Sequence, residues 1–164
     1  MLRIMRLALV LALAAGCGGS PKAPAPQPSG YRDGLVEFIP LGVTTGITSV
    51  IGSHADLPSK NGQVVFVRLA VINHYRTFHD LDVRKQLLVT SDGRQWEIDG
   101  QATSIKRQPT RLSLGSGNRV EFDLYYDIPA TARPKELLLY GEPVTDLGVA
   151  LPEDPGVRAP LAVP

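Results

Sequence analysis

The chain has a single cysteine, Cys17, among its 164 residues, so no disulfide can form within it. It lacks a large charge of either sign: 17 Lys and Arg stand against 16 Asp and Glu, and without Arg3 and Arg6 the balance tips to one net negative charge. A near-neutral surface gives no electrostatic reason to bind nucleic acid. Nor does it indicate affinity for anionic lipid. No apolar run reaches the roughly 20 residues that span a bilayer as a helix. Beyond residue 30 no window keeps a helical period, and no segment repeats. The G-x-S-x-G turn of many serine hydrolases is missing, as is a glycine-rich phosphate loop. These absences remove the familiar nucleophile and nucleotide motifs.

What is present is frequent interruption. Sixteen glycines and fourteen prolines break the chain into short pieces, which favours strands over long helices. At 43% apolar and 20% charged residues, the composition is that of a folded domain.

The amino-terminal segment reads as an export signal. Arg3 and Arg6 give a positive start, and residues 7–15 form an unbroken apolar core too short to span a membrane permanently. That core ends in Leu13-Ala14-Ala15-Gly16-Cys17, which resembles the lipobox of bacterial lipoproteins. The departure is Ala14, where that family prefers Leu. The resemblance implies a signal peptide over residues 1–16, cleavage before Cys17, a diacylglycerol on its thiol and often acylation (palmitate) of the new amino group. Several buried acyl chains, at about 0.8 kcal/mol per CH₂, hold a protein stably on a membrane. An unpaired cysteine in an exported chain fits such a role. Ala12-Leu13-Ala14 is also an acceptable site for ordinary signal peptidase, which would leave a secreted chain starting at Ala15. After Cys17, residues 18–30 read GGSPKAPAPQPSG. Such a segment buries little apolar surface, and its prolines favour an extended tether reaching roughly 40 Å at about 3.1 Å per residue.

From Tyr31 the pattern becomes periodic. Val65, Val67, Leu69 and Val71 alternate with residues of the opposite face, as do Val120, Phe122, Leu124 and Tyr126, and period two means strand. Leu87-Leu88-Val89 leads through Asp92-Gly93 into Gln95-Trp96-Glu97-Ile98, a hairpin pattern in which glycine accepts the positive φ of the turn. Residues 35–39, 43–51, 137–140 and 144–151 complete the expected strands. About seven short strands imply an all-β, antiparallel, immunoglobulin-like sandwich over residues 33–152, after a linker over 17–32 and before a proline-rich tail over 153–164. Three segments together resemble the telokin-like, immunoglobulin-like domain of small secreted bacterial antigens and lipoproteins. They are residues 65–73, a strand ending in Asn73; residues 87–96; and the turn at Leu114-Gly115-Ser116-Gly117-Asn118 with the strand that leaves it at Ile128-Pro129. This sequence has Leu114 where a proline often stands. The resemblance implies a sandwich and export, and no catalytic residue.

Within the domain, residues 74–82 concentrate His74, His79, Asp80 and Asp82. Imidazole and carboxylate together suit Zn or Cu, with His54 as a further donor. The same stretch reads equally as a solvated loop, with Tyr75 and Phe78 pinning it onto the sandwich rim. Asp80-x-Asp82 begins like a calcium loop, but Arg84 at the fifth position ends that match. Lys106, Arg107 and Arg111 form a small basic cluster able to meet an acidic partner. Trp96 is expected in the core, and Asn73 is expected to bond to local backbone. The sequence thus suggests a non-enzymatic module without a cofactor, held on a bacterial membrane through Cys17 at the cell surface or in the periplasm, and binding a protein or other ligand. A metal buffer or delivery protein using residues 74–82 is the alternative.

Overall fold

The computed structural model describes residues 30–53, 56–141 and 155–163. Two antiparallel sheets face each other. The first has the order β1 (Tyr31–Asp33), β2 (Val36–Ile47), β5 (Gly62–Asn73), β10 (Arg119–Pro129). The second has the order β12 (Val157–Pro160), β11 (Pro134–Leu139), β7 (Leu87–Thr90), β8 (Gln95–Trp96). Two small pairs sit outside them: β3 (Ser49–Ile51) with β4 (Asp56–Pro58), and β6 (His79–Asp82) with β9 (Arg111–Leu114). The chain is therefore an all-β sandwich.

The alternation in the sequence sets the layers. Val65, Val67, Leu69 and Val71 of β5 meet Phe122, Leu124, Tyr126 and Ile128 of β10, and across the core they meet Leu88, Leu137, Leu139 and Ala159. Side chains of opposite parity on the same two strands build a smaller second core. There Val64 and Tyr125 are covered by Val50 of β3 and Ala102 of a six-residue helix, α1 (Gly100–Ile105), and the Phe66 and Tyr125 rings lie 5.5 Å apart. The outer face of the first sheet is thus half capped, which explains why the burial of β5 reads as nearly continuous rather than alternating.

Several expectations need correction. Residues 35–39 and 43–51, read as two strands, are largely one strand: β2 runs through register shifts between Pro40 and Gly42 and between Thr44 and Ile47. Bulges absorb the prolines and glycines that looked like breaks. The linker reaches less far than expected, because Tyr31–Asp33 already pairs with β2 as β1. Part of the tail also belongs to the domain. Val157–Pro160 pairs with β11 and buries Ala159 completely, and its closing proline is tolerated because β12 is an edge. Of residues 74–82, the last four form β6 rather than loop. The turn after β7 is a three-residue loop: Gly93 lies at φ +84, and Thr90 N donates to Arg94 O at 2.9 Å. The expected strand over residues 144–151 lies outside the described residues, as do Cys17 and His54.

Candidate functional site

β5 ends in Asn73, which has no exposed surface. Its Nδ2 donates to Thr77 O at 2.9 Å, Leu114 O at 2.8 Å and Gly115 O at 3.2 Å, and its Oδ1 accepts from Tyr75 N at 2.8 Å. Its own N–H donates to Asn118 O, and its carbonyl accepts from Gly117 N. One buried amide therefore ties residues 74–78 to the turn at 115–118. Buried polar groups are costly unless bonded, and here every polar atom of the side chain has a partner.

The loop so held sorts its aromatics. Tyr75 turns inward and stacks on His79, with centroids 4.9 Å apart and planes within 2°. Phe78 turns outward and is 77% exposed. Beside the loop, His74 N donates to Leu35 O at 2.8 Å, and Leu35 is itself 45% exposed. Arg76, between Tyr75 and Phe78 in sequence, is exposed and makes no ion pair with another described residue. At the loop's foot, Glu37 Oε2 meets His74 Nε2 at 2.6 Å and Arg32 Nη2 at 3.2 Å. The His74 hydrogen bond and the Arg32 charge hold the Glu37 carboxyl below its usual range against the opposing effect of burial.

A second group of side chains fixes the end of β11. Gln86, fully buried, bonds Tyr140 N at 2.9 Å through Oε1, and through Nε2 it bonds Tyr140 O at 3.1 Å and Asp82 O at 3.0 Å. Gly141 N donates to Asp33 Oδ2 at 2.6 Å, and Gly141 O meets His79 Nε2. Side chains thus catch the main chain where it leaves the sheet.

These contacts decide where the expected metal ligands stand. His74 faces Glu37, and His79 is buried against Gly141 and Tyr75. Asp80 is exposed on β6, while the next residue of that strand, Leu81, is buried. Asp82 caps the following single turn and accepts from Arg84 N, Nε and Nη2. Arg84 lowers the Asp82 pKa, first through its side-chain hydrogen bond. The four do not converge: among the described residues no group of three or more His, Cys, Asp or Glu is placed to hold a metal ion. The physical reason is the strand itself, because period two sends His79 inward and Asp80 outward.

Nor does the basic cluster hold together. Lys106 caps α1 and its charge reaches Asp123. Arg107 is exposed at a left-handed φ of 53. Arg111 lies on β9 directly opposite Asp82. The remaining shifted groups belong to the second core. Burial raises the Asp123 pKa, and burial with the Asp123 charge pushes the Tyr125 phenol up to about 12.

Asn73 bonds to local backbone as expected, and half-buried Trp96 packs on the core. Gln86 and the exposure of Phe78 were missed. Nothing in the sequence around either residue distinguishes a buried glutamine or an outward phenylalanine.

No protein-family model matches the chain, and no curated protein does. Solved structures do. The crystal structure of the YjhA protein from Bacillus subtilis superposes with a TM-score of 0.57 at 13% identity, covering 81% of this chain and 94% of that one. MPT63, a secreted protein from Mycobacterium tuberculosis, gives a TM-score of 0.46 at 14% identity, over 64% of this chain and 74% of that one. The likeness to YjhA extends across nearly all of that protein, and what it shows is the shared fold, an antiparallel β-sandwich.

Proposed function

We propose that this chain is an exported, lipid-anchored, non-catalytic module that binds a protein partner at a membrane surface or within the envelope. One observation carries the binding part of this reading. The loop at residues 74–78 is fixed from within by Asn73 and by the Tyr75–His79 stack, yet it holds Phe78 in solvent. A large aromatic side chain on a held backbone loses little conformational freedom on docking, and aromatic and Arg side chains are the usual anchors of interfaces. Exposed Arg76, on the same loop, and exposed Leu35, whose carbonyl accepts from His74 N, add a cation and an aliphatic side chain to this surface. The export part rests on the sequence: the charged start, the short apolar core and Cys17 behind small residues. No helix among the described residues is long and apolar enough to cross a membrane, so an acyl anchor on Cys17 would supply the attachment. The module needs no cofactor, and nucleic acid is not its partner.

Two measurements test the two parts. Mass spectrometry of the mature amino terminus from cells is expected to find acylated Cys17, whereas an unmodified chain starting at Ala15 contradicts the anchor. Affinity capture from solubilised membranes is expected to recover a partner with the natural chain and to lose it with Phe78→Ser or Arg76→Glu. Equal recovery with all three contradicts the assignment of this loop.

A further inference from the structure

Asparagine followed by glycine is the dipeptide most prone to deamidation, because glycine, having no side chain, leaves its backbone nitrogen open to the asparagine amide. The chain has three asparagines, and one of them, Asn61, precedes a glycine. Asn61 and Gly62 are both exposed, where the loop from β4 enters β5. The fold asks for each of them. Gly62 has φ +127, and a Cβ there would stand 2.8 Å from Ala130 N, so a side chain at this position would be strained. Asn61 Nδ2 donates to Asp127 O at 3.0 Å and ties the loop to β10.

Deamidation begins when the glycine nitrogen loses its proton and bonds to the asparagine Cγ. The Cγ–Nδ2 bond breaks, the amide leaves as ammonia with that proton, and a succinimide ring closes. Water then opens the ring at either carbonyl and gives aspartate or isoaspartate. In this loop the two reacting groups must move together for the first step, and each is held by something else. Gly62 N donates to Ser59 Oγ at 2.8 Å, and Ser59 Oγ donates to Asp127 Oδ1 at 2.5 Å. The Asn61 side chain is held by Asp127 O, and Asn61 N donates to Asp127 Oδ1 at 3.3 Å. The ladder with β10 starts at once, with Gly62 opposite Pro129. We propose that Asn61 is a deamidation site that Ser59 and Asp127 hold shut, and that its conversion during a local opening of this loop releases the start of β5 irreversibly. The product carboxylate cannot donate to Asp127 O, and it sets a second negative charge beside the Asp127 carboxylate. Isoaspartate also lengthens the main chain by one carbon immediately before the Gly62–Pro129 pair. This chemistry depends on neither the anchor at Cys17 nor the loop that carries Phe78.

Peptide mapping of the full mature chain, held in mildly alkaline buffer, tests this, with isoaspartate scored by an isoaspartyl methyltransferase. Isoaspartate at position 61 is expected to form far more slowly in the folded chain than in the same chain in urea. Asp127→Ala and Ser59→Ala should each speed its formation in buffer roughly fivefold, because losing a hydrogen bond raises the open population by about that factor. Ser59→Ala leaves Asp127 its bonds to Lys60 N and Asn61 N, so it frees the Gly62 nitrogen with the rest of the grip in place. A folded chain that reacts as fast as the chain in urea overturns the proposal. So does one that reacts faster, which would mean that Ser59 and Asp127 draw the proton from Gly62 N instead of guarding it. Unchanged rates in both variants overturn it as well. The converted fraction, separated by ion exchange, should exchange its Gly62 amide faster than the unconverted chain, and equal exchange would remove the claim that conversion releases β5.

Discussion

β5 is closed at both ends by a side chain that grips the neighbouring loop, and the two grips differ in kind. At its far end Asn73, buried and neutral, bonds four main-chain groups of other residues through its amide. At its start the loop at residues 59–61 is gripped by Asp127 of β10. The Asp127 carboxylate accepts from Ser59 Oγ at 2.5 Å, Lys60 N at 2.8 Å and Asn61 N at 3.3 Å; the residue is half-buried, and the latter two bonds are exposed to water. Water can replace the exposed bonds of the second grip to Lys60 N and Asn61 N, but not the bonds of the first to Leu114 O and Gly115 O, which are buried. The buried grip therefore holds its loop more firmly, and it is that loop which carries the outward aromatic.

The sharpest way to break this contrast is to remove both grips in turn. Asn73→Ala takes the side-chain donor from the buried Leu114 carbonyl and the acceptor from the Tyr75 N–H, while Gly115 O keeps its bond from Asn118 N, and is expected to cost about 2–4 kcal/mol, since each stranded buried group costs about 1–3 kcal/mol. Asp127→Ala exposes its former donors to water and should cost about 1 kcal/mol. Urea denaturation of both variants measures the difference, and equal losses would erase the distinction. Amide exchange adds a finer reading: Asn73→Ala should speed exchange at Gly117 and Asn118, and Asp127→Ala should not.

Acid separates the neutral grip from its ionic fringe. Glu37 has a folded pKa below its ordinary 4.5 because His74 and Arg32 bond its carboxylate. Such a group contributes stability above the unfolded value, and that contribution is lost as pH falls through the folded one. Asp82 acts in the same direction. Asp123, raised by burial, acts in the opposite one, lowering stability once pH exceeds its unfolded value. The melting temperature should therefore decline below about pH 4.5, and Glu37→Gln should flatten that decline while leaving the Asn73-dependent amide protection intact. An unchanged acid limb would show that the Glu37 network contributes nothing. The smallest effect on the fold is expected from Phe78→Ser: a change within about 0.5 kcal/mol, because the side chain is 77% exposed.

The same contrast marks what could be read from the sequence. β5 and β10 were legible because their inward positions alternate without a break, and the turn at Asp92-Gly93 because its glycine must take φ +84. β6 was not legible. His79-Asp80-Leu81-Asp82 carries one aliphatic residue in four, and its inward partner is a histidine held by Gly141 from a distant strand end. β12 hid for a similar reason: Val157-Arg158-Ala159-Pro160 buries a single alanine completely and ends in proline. The metal reading of residues 74–82 treated nearness in sequence as nearness in space, and strand alternation separates those side chains. The role of Asn73 was visible in kind, as an asparagine at a strand end. Its reach to Leu114 and Gly115, 41 and 42 residues on, comes from tertiary packing and leaves no local trace.

The proposed role of this chain requires the loop beyond Asn73 to be a binding surface. Photo-cross-linking in cells tests this most directly, with p-benzoylphenylalanine placed at position 78 and, as the comparison, at position 60 in the loop held by Asp127. The expected result is a discrete adduct from position 78 and none from position 60. No adduct at 78, or the same adducts from both positions, would contradict it.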